Sequence, residues 1–286
     1  VGGGDSAELN TAARALMKMS GITPRMGTKI HEGAAKTTYL IEGRDNLYVA
    51  CRYGPGKDGR RLCSRAAAGV DAAAAAGLGP RPLHAGKSPV IRSENRWWTG
   101  YVFIDGPALW GDRSLRDTYR VIGAFAAAWH ARCSSDGRHR RAVSRFEAPV
   151  IPPEIRARAL AATGASQQLF LHGDLNASNI ILTPAPRAVD FDEIGFGPPE
   201  LDLAIALGYV NTSPEDLGGC FHALLRGYRE AGGVADAGSV KSLAEIIPWY
   251  MAASHQERLG EQPLPPGGLE AAAAQAEMIA AALAGF

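Results

Sequence analysis

The alternation of apolar and polar positions is most informative in the middle of the chain. Phe170 and Leu171 run into His172-Gly173-Asp174, and apolar residues resume after Asn179 as Ile180-Ile181-Leu182, which predicts two short strands flanking a tight loop. Gly173 permits backbone angles that a side chain would forbid, so the loop presents Asp174 and Asn179 together. Pro184-Ala185-Pro186 predicts a turn. Ala188 to Phe191 then read as a third short strand ending on alternating acids, with Asp192 on the face of Asp190 if the strand continues.

Elsewhere the periodicity is helical. A leading helix is expected over about 6–20, and Gly27 to Thr37 suits a strand, a turn at Gly33 and a return strand, a loop able to offer backbone amides to phosphate. Ser114 caps a helix with Asp117 at its third position, and Tyr119, Ile122, Ala126 and Trp129 recur on its core face; His130 at its end reads as a buried hydrogen-bonding group. Ser213-Pro-Glu-Asp216 starts another helix, and one more is expected from Ser239 to Leu259 with a kink at Pro248. The alanine runs at 72–76 and 271–274 favour helix, and Val1 to Asp5 read as a flexible tail.

The loop residues carry the chemistry. Phosphoryl transfer needs a carboxylate to orient an attacking hydroxyl and take its proton, and hard oxygen ligands to hold Mg2+ against the phosphates. Asp174 suits the first role, Asn179 and Asp190 the second, and Asp192 is a further ligand or its supporting neighbour.

Composition narrows the classes. With 286 residues, 46% of them hydrophobic, the chain can bury a sizeable core in two lobes. Thirty basic residues against 29 acidic ones give a formal charge of +1, which calls for neither nucleic acid nor an anionic membrane. Cys51, Cys63, Cys133 and Cys220 have no metal or redox spacing. With no leader segment or membrane-length apolar run in view, a cytoplasmic monomer or homodimer is expected.

Two segments, Leu171-His-Gly-Asp-Leu-Asn-Ala-Ser-Asn179 and Val189-Asp-Phe-Asp-Glu-Ile-Gly-Phe-Gly-Pro-Pro-Glu-Leu-Asp-Leu-Ala204, resemble the aminoglycoside phosphotransferase and choline kinase superfamily. The resemblance implies an α+β, bilobal protein-kinase-like fold, with a small antiparallel-sheet lobe over 1–103 and a larger, mainly helical lobe over 104–286. It implies that Asp174 is the catalytic base, that Asn179, Asp190 and Asp192 are the metal-side residues, and that Asp202 braces the catalytic loop. Thr37 to Gly56 resembles the choline kinase type of amino-terminal lobe, with a turn at Gly43 to Asn46 and Arg52 as the cation reaching the nucleotide phosphates. The usual Glu partner of that cation is missing from Arg65 to Asp71, leaving Asp71 as the nearby acid.

Tyr101 to Gly106 resembles the hinge, so backbone groups of Phe103, Ile104 and Asp105 are expected at the base of ATP or GTP. In the carboxy-terminal third the family's helices wall the acceptor pocket. Trp249 and Tyr250 stack on the acceptor or pack in the core, and Glu200 or Glu257 attracts an amine or pairs with a neighbouring helix. The implied activity is Mg2+-dependent phosphorylation of a small-molecule hydroxyl. An antibiotic or related secondary metabolite is the leading acceptor, a choline- or ethanolamine-type metabolite the second, and a catalytically silent binding protein the contrasting class. A protein kinase is disfavoured, because no Asp-Phe-Gly or activation segment follows Asp190.

Overall fold

Strand parity organises the amino-terminal part of the chain. In the computed structural model, which describes residues 3–33, 36–110, 113–134, 142–163, 167–209, 213–259 and 264–285, α1 (Gly3–Ser20) precedes β1 (Met26–Glu32), β2 (Lys36–Glu42) and β3 (Leu47–Tyr53). Then follow α2 (Gly56–Ala75), β4 (Ile91–Ser93) and β5 (Arg96–Val102). The strands form one antiparallel sheet in the order β1-β2-β3-β5-β4.

Because side chains alternate across a strand, the sheet has two apolar faces. Tyr39, Ile41, Tyr48 and Ala50 pack with Ala12, Leu16 and Met19 of α1, whereas Val49, Cys51 and Tyr53 pack with Cys63 and Ala66 of α2. The turn at Gly43 closes through its N–H to the Asn46 carbonyl at 2.9 Å, where it was expected. Gly3 to Asp5 belong to α1 rather than to a tail, while Val1, Gly2 and the Ala34-Ala35 tip of the expected phosphate loop lie outside the described residues.

The chain divides into two compact units: Val1–Gly106 with Arg187–Glu193, and Pro107–Pro186 with Ile194–Phe286. In chain order the second unit contributes α3 (Leu115–Arg132), α4 (Pro153–Thr163), β6 (Leu169–Leu171) and β7 (Ile180–Ile181). The first unit then adds β8 (Arg187–Ala188), and the second continues with β9 (Gly195–Gly197), α5 (Pro199–Gly208), α6 (Pro214–Glu230), α7 (Ala237–Ala244), α8 (Ile247–Leu259) and α9 (Gly268–Leu283). The class is therefore α+β, with the larger sheet in the first unit and most of the helices in the second.

Helix starts follow the sequence. Ser114 accepts the Asp117 N–H at 3.1 Å and Ser213 the Asp216 N–H at 3.2 Å, each filling an orphan donor of the first turn. Tyr119, Ile122, Ala126 and Trp129 are buried as expected. Two elements depart from expectation. The helix expected over 239–259 is two helices, because Pro248 has no N–H to continue a ladder and sits in the first turn of α8, while Asp236 caps α7 separately. The strand expected from Ala188 to Phe191 ends at Ala188, because Asp190 turns into the left-handed region at φ 63°. Among the described residues, no helix is long and apolar enough to cross a membrane.

Candidate active site

The loop from His172 to Asn179 in the second unit is fixed before Asp174 is reached. Strand β6 ends at Leu171, and the N–H groups of His172 and Gly173 then donate to the two oxygens of Asp202, at 2.9 and 2.8 Å. Asp202 comes from the first turns of α5 and is fully buried. His130 Nε2 lies 3.1 Å from the same carboxylate, and its Nδ1 lies 3.0 Å from the Tyr228 hydroxyl. Burial opposes the Asp202 charge, but the bond to His130, the charges of His130 and His172 and the Gly173 N–H outweigh it and hold the carboxyl below its ordinary range. This is the bracing role expected for Asp202, and His130 is the buried hydrogen-bonding group expected of it.

With Gly173 at φ 78°, the chain turns and places Asp174 at the loop's open end. Its Oδ2 accepts from Asn179 Nδ2 at 3.0 Å, and its Oδ1 accepts from Asn176 Nδ2 at 3.4 Å and from the Tyr209 hydroxyl. Asn179 also donates to the Asp174 carbonyl at 2.9 Å. Asn179 is held by a single helical turn, Ala177–Asn179, which Asn176 caps by accepting the Ser178 N–H at 2.9 Å. These bonds use the Asn179 amino group and leave its amide oxygen as the donor suited to a hard cation.

The other two acids stand in the first unit, gathered around a lysine. Lys36 Nζ lies 2.5 Å from Asp190 Oδ1 and 2.9 Å from Asp192 Oδ2, and the Tyr53 hydroxyl donates to Asp192 Oδ1 at 2.7 Å. The two acids meet through a turn rather than along a continuing strand, because of the left-handed Asp190 backbone. Burial disfavours the Lys36 charge, but Asp192 and Asp190 outweigh it and hold the ammonium well above its ordinary range. A carboxylate pair already assembled around a positive charge fits a hard divalent cation. Among the described residues no cluster of three or more His, Cys, Asp or Glu side chains could hold a metal by itself.

Arg52 is placed otherwise than the resemblance implied. It pairs with Thr37 across β2 and β3 and shares the α1 face with Tyr39, where its guanidinium meets Glu8 at 3.1 Å and Thr37 Oγ1 at 3.2 Å. The acid it lacks on α2 is supplied by α1. Asp71 is instead 2.8 Å from His84 Nε2. The cation facing Asp190 and Asp192 is Lys36, paired with Tyr53 one register position away and therefore on the opposite face.

At the expected hinge, Phe103 donates its N–H to Leu47 at 2.9 Å, so that group extends the sheet instead of meeting a base. Ile104 and Asp105 follow outside regular structure. In the second unit, Glu200 is buried and accepts the Asp236 N–H at 3.0 Å. Tyr250 is also buried, and Arg145 ties it to α8's outer turns by donating to the Tyr250 hydroxyl at 2.9 Å and to Glu257 at 3.1 Å. These contacts belong to the packing alternative for Glu200, Tyr250 and Glu257, whereas Trp249 stays half-exposed.

Sequence reasoning missed Lys36 and Tyr209. Lys36 carried one signal, a cation opening a strand of the sheet, but both faces of that sheet are apolar and the pattern does not say which one turns to the acids. Tyr209 follows Gly208 at the end of α5, and only the fold returns it to Asp174.

The model of the phosphotransferase enzyme family matches residues 27–238. Among solved structures, the chain is similar to an amicoumacin kinase bound to AMP-PNP and Ca2+, with TM-score 0.69 and 15% identity over 93% of this chain and 91% of that one. It is also similar to a spectinomycin phosphotransferase in complex with ADP and spectinomycin, with TM-score 0.61 and 12% identity over 96% and 98% of the two chains. A choline/ethanolamine kinase family protein from Mesorhizobium loti aligns with TM-score 0.61 and 16% identity over 93% and 94%. No curated protein matches the sequence.

Proposed function

This chain belongs to the phosphotransferase enzyme family of small-molecule kinases, and from that membership we propose that it transfers the γ-phosphoryl group of ATP or GTP to a hydroxyl of an antibiotic or related secondary metabolite. The observation that carries the reading is the Asp174 carboxylate, fixed on one oxygen by Asn179 and accepting a hydroxyl hydrogen bond on the other. In the reaction, Oδ1 takes the hydrogen bond of the acceptor hydroxyl and then its proton, as the acceptor oxygen bonds to phosphorus and the nucleoside diphosphate leaves.

The Asn179 amide oxygen and Asp190 would hold Mg2+, with Asp192 as a further ligand. Bound there, Mg2+ neutralises charge on the transferring phosphates. Lys36, close to both acids, supplies the phosphate-facing positive charge first expected of Arg52. The four free, buried cysteines suit a reducing cytoplasm, where nucleoside triphosphate is available.

The amino-terminal likeness to choline kinases favours a second acceptor class, small amino alcohols. A silent binding module is disfavoured, since Asp174, Asn179, Asp190 and Lys36 are all present. The test is mass spectrometry of a panel of aminoglycosides, peptide and nucleoside antibiotics, choline and ethanolamine, incubated with Mg2+ and ATP or GTP, alongside Asp174→Ala. A phosphorylated compound formed only by the unmutated chain is the expected result. Metal-independent nucleotide binding with no product would move the protein to the silent class.

A further inference from the structure

The hydroxyl that Asp174 already accepts comes from a side chain that takes no part in the transfer itself. Tyr209 lies directly after α5 and donates its hydroxyl to Oδ1, the oxygen not fixed by Asn179. Tyr209 is 38% exposed, so solvent reaches the residue whose hydroxyl meets Asp174. A hydroxyl hydrogen-bonded to this carboxylate is the arrangement the acceptor itself must adopt, and Tyr209 already holds it.

The position of the phenol is built in. Helix α5 carries Asp202 near its start, where it binds the N–H groups just before Asp174, and delivers Tyr209 at its end. That end is fixed. A Cβ on Gly208 would come within 2.4 Å of Ile247, and the Gly208 carbonyl accepts from Gln275 at 3.0 Å. One helix thus sets both the carboxylate and the group that covers it.

We propose that Tyr209 is a stand-in for the acceptor: its hydroxyl fills the acceptor hydroxyl's place on Asp174, keeps water from that place, and is displaced only by an alcohol that binds well enough to replace it. The proposal rests on the reading of Asp174 as the base. Without an acceptor, a water bound to Asp174 would give up its proton to the carboxylate while its oxygen bonds to the γ-phosphorus, releasing nucleoside diphosphate and inorganic phosphate. Tyr209 suppresses this loss and makes the site selective for acceptors that carry more than a bare hydroxyl.

The experiment uses the full chain with Mg2+ and ATP and no acceptor, following ADP release and intact mass for the unmutated protein, Tyr209→Phe, Tyr209→Leu and Asp174→Asn. Tyr209→Phe and Tyr209→Leu should each release ADP about tenfold faster than the unmutated chain, the factor by which a hydrogen bond to a charged group holds its partner. A phosphoryl group found on Tyr209 of the unmutated chain would also support the proposal, because it places the phenol where acceptors react. Release no faster in either variant, with Asp174→Asn silent, would overturn it. If Asp174→Asn released ADP like the unmutated chain, the reading of Asp174 as base would fall instead.

Discussion

Lys36 and Arg52 lie one register position apart in the β2–β3 pairing and on opposite faces of the sheet, Lys36 toward Asp190 and Asp192 and Arg52 toward Glu8. Their substitutions should therefore separate. Lys36→Met should raise the KM for nucleotide about tenfold, the effect of losing one charge-assisted contact. Arg52→Met should act mainly on stability, by no more than about 1 kcal/mol, because its ion pair with Glu8 is part-exposed. Steady-state kinetics and thermal melting of the two variants check this; a larger KM effect from Arg52→Met would return the phosphate role to Arg52.

The lysine also competes with metal. In the unmutated chain its ammonium occupies the two acids, so Mg2+ added without nucleotide should shift the melting temperature little. In Lys36→Met the acids lose their cation, and Mg2+ should raise the melting temperature measurably more. Equal shifts in the two proteins would argue against Asp190 and Asp192 as the metal-side acids.

Asp190→Ala should weaken nucleotide binding in Mg2+ while leaving the weaker binding in EDTA nearly unchanged. Calorimetry in both buffers measures the difference. A loss of equal size in EDTA would mean that Asp190 contacts the nucleotide without metal, or that the substitution perturbs the fold.

Asp202 links the site to acid stability. Its carboxyl is held below the ordinary 3.8 in the folded chain, so the stabilisation is complete above that value and drains away as pH falls through the folded pKa. Asp202→Asn should destabilise the chain by about 3 kcal/mol at neutral pH, as expected for a broken buried network. It should also flatten the loss of stability as pH falls below about 4. Urea midpoints across that range test both parts.

Helices α3 and α6 approach closely at two glycines. A Cβ on Gly123 would stand 2.0 Å from the Leu224 carbonyl oxygen, and one on Gly227 would stand 2.0 Å from that of Arg120. Gly123→Ala should cost about 2 to 3 kcal/mol by forcing the helices apart. Thermal unfolding gives the value, and Tyr119 fluorescence would report the loosened packing.

What the sequence revealed, and what it concealed, follows from the range of the interactions. The loop from His172 to Asn179 was legible because its glycine, its acid and its flanking apolar pairs are neighbours in the chain, and Asp202 was legible through its family segment. Helix caps at Ser114 and Ser213 act within a single turn and were equally plain. Strand phase was not. Val49, Cys51 and Tyr53 on one face and Tyr48 and Ala50 on the other are all apolar, so nothing local tells which face carries Arg52. Glu8 for Arg52, Arg145 for Tyr250 and Tyr209 for Asp174 are partners separated by 35 residues or more, and long-range pairing leaves no periodic trace.

Asp190 and Asp192 belong to the first unit, yet the chain reaches them only after nearly half of the second unit has been made. A fragment ending at Gly106 would keep Lys36 and Tyr53 but have no carboxylates for them to meet, leaving a buried ammonium without its counter-charges. During synthesis the same holds in time: the sheet can form on the ribosome well before its acids emerge, and the first unit is complete only once the catalytic loop has been translated. Recombination at the first crossing, between Gly106 and Pro107, would therefore separate a lysine from its acids, so the first unit has to be inherited together with the stretch of the second that interrupts it.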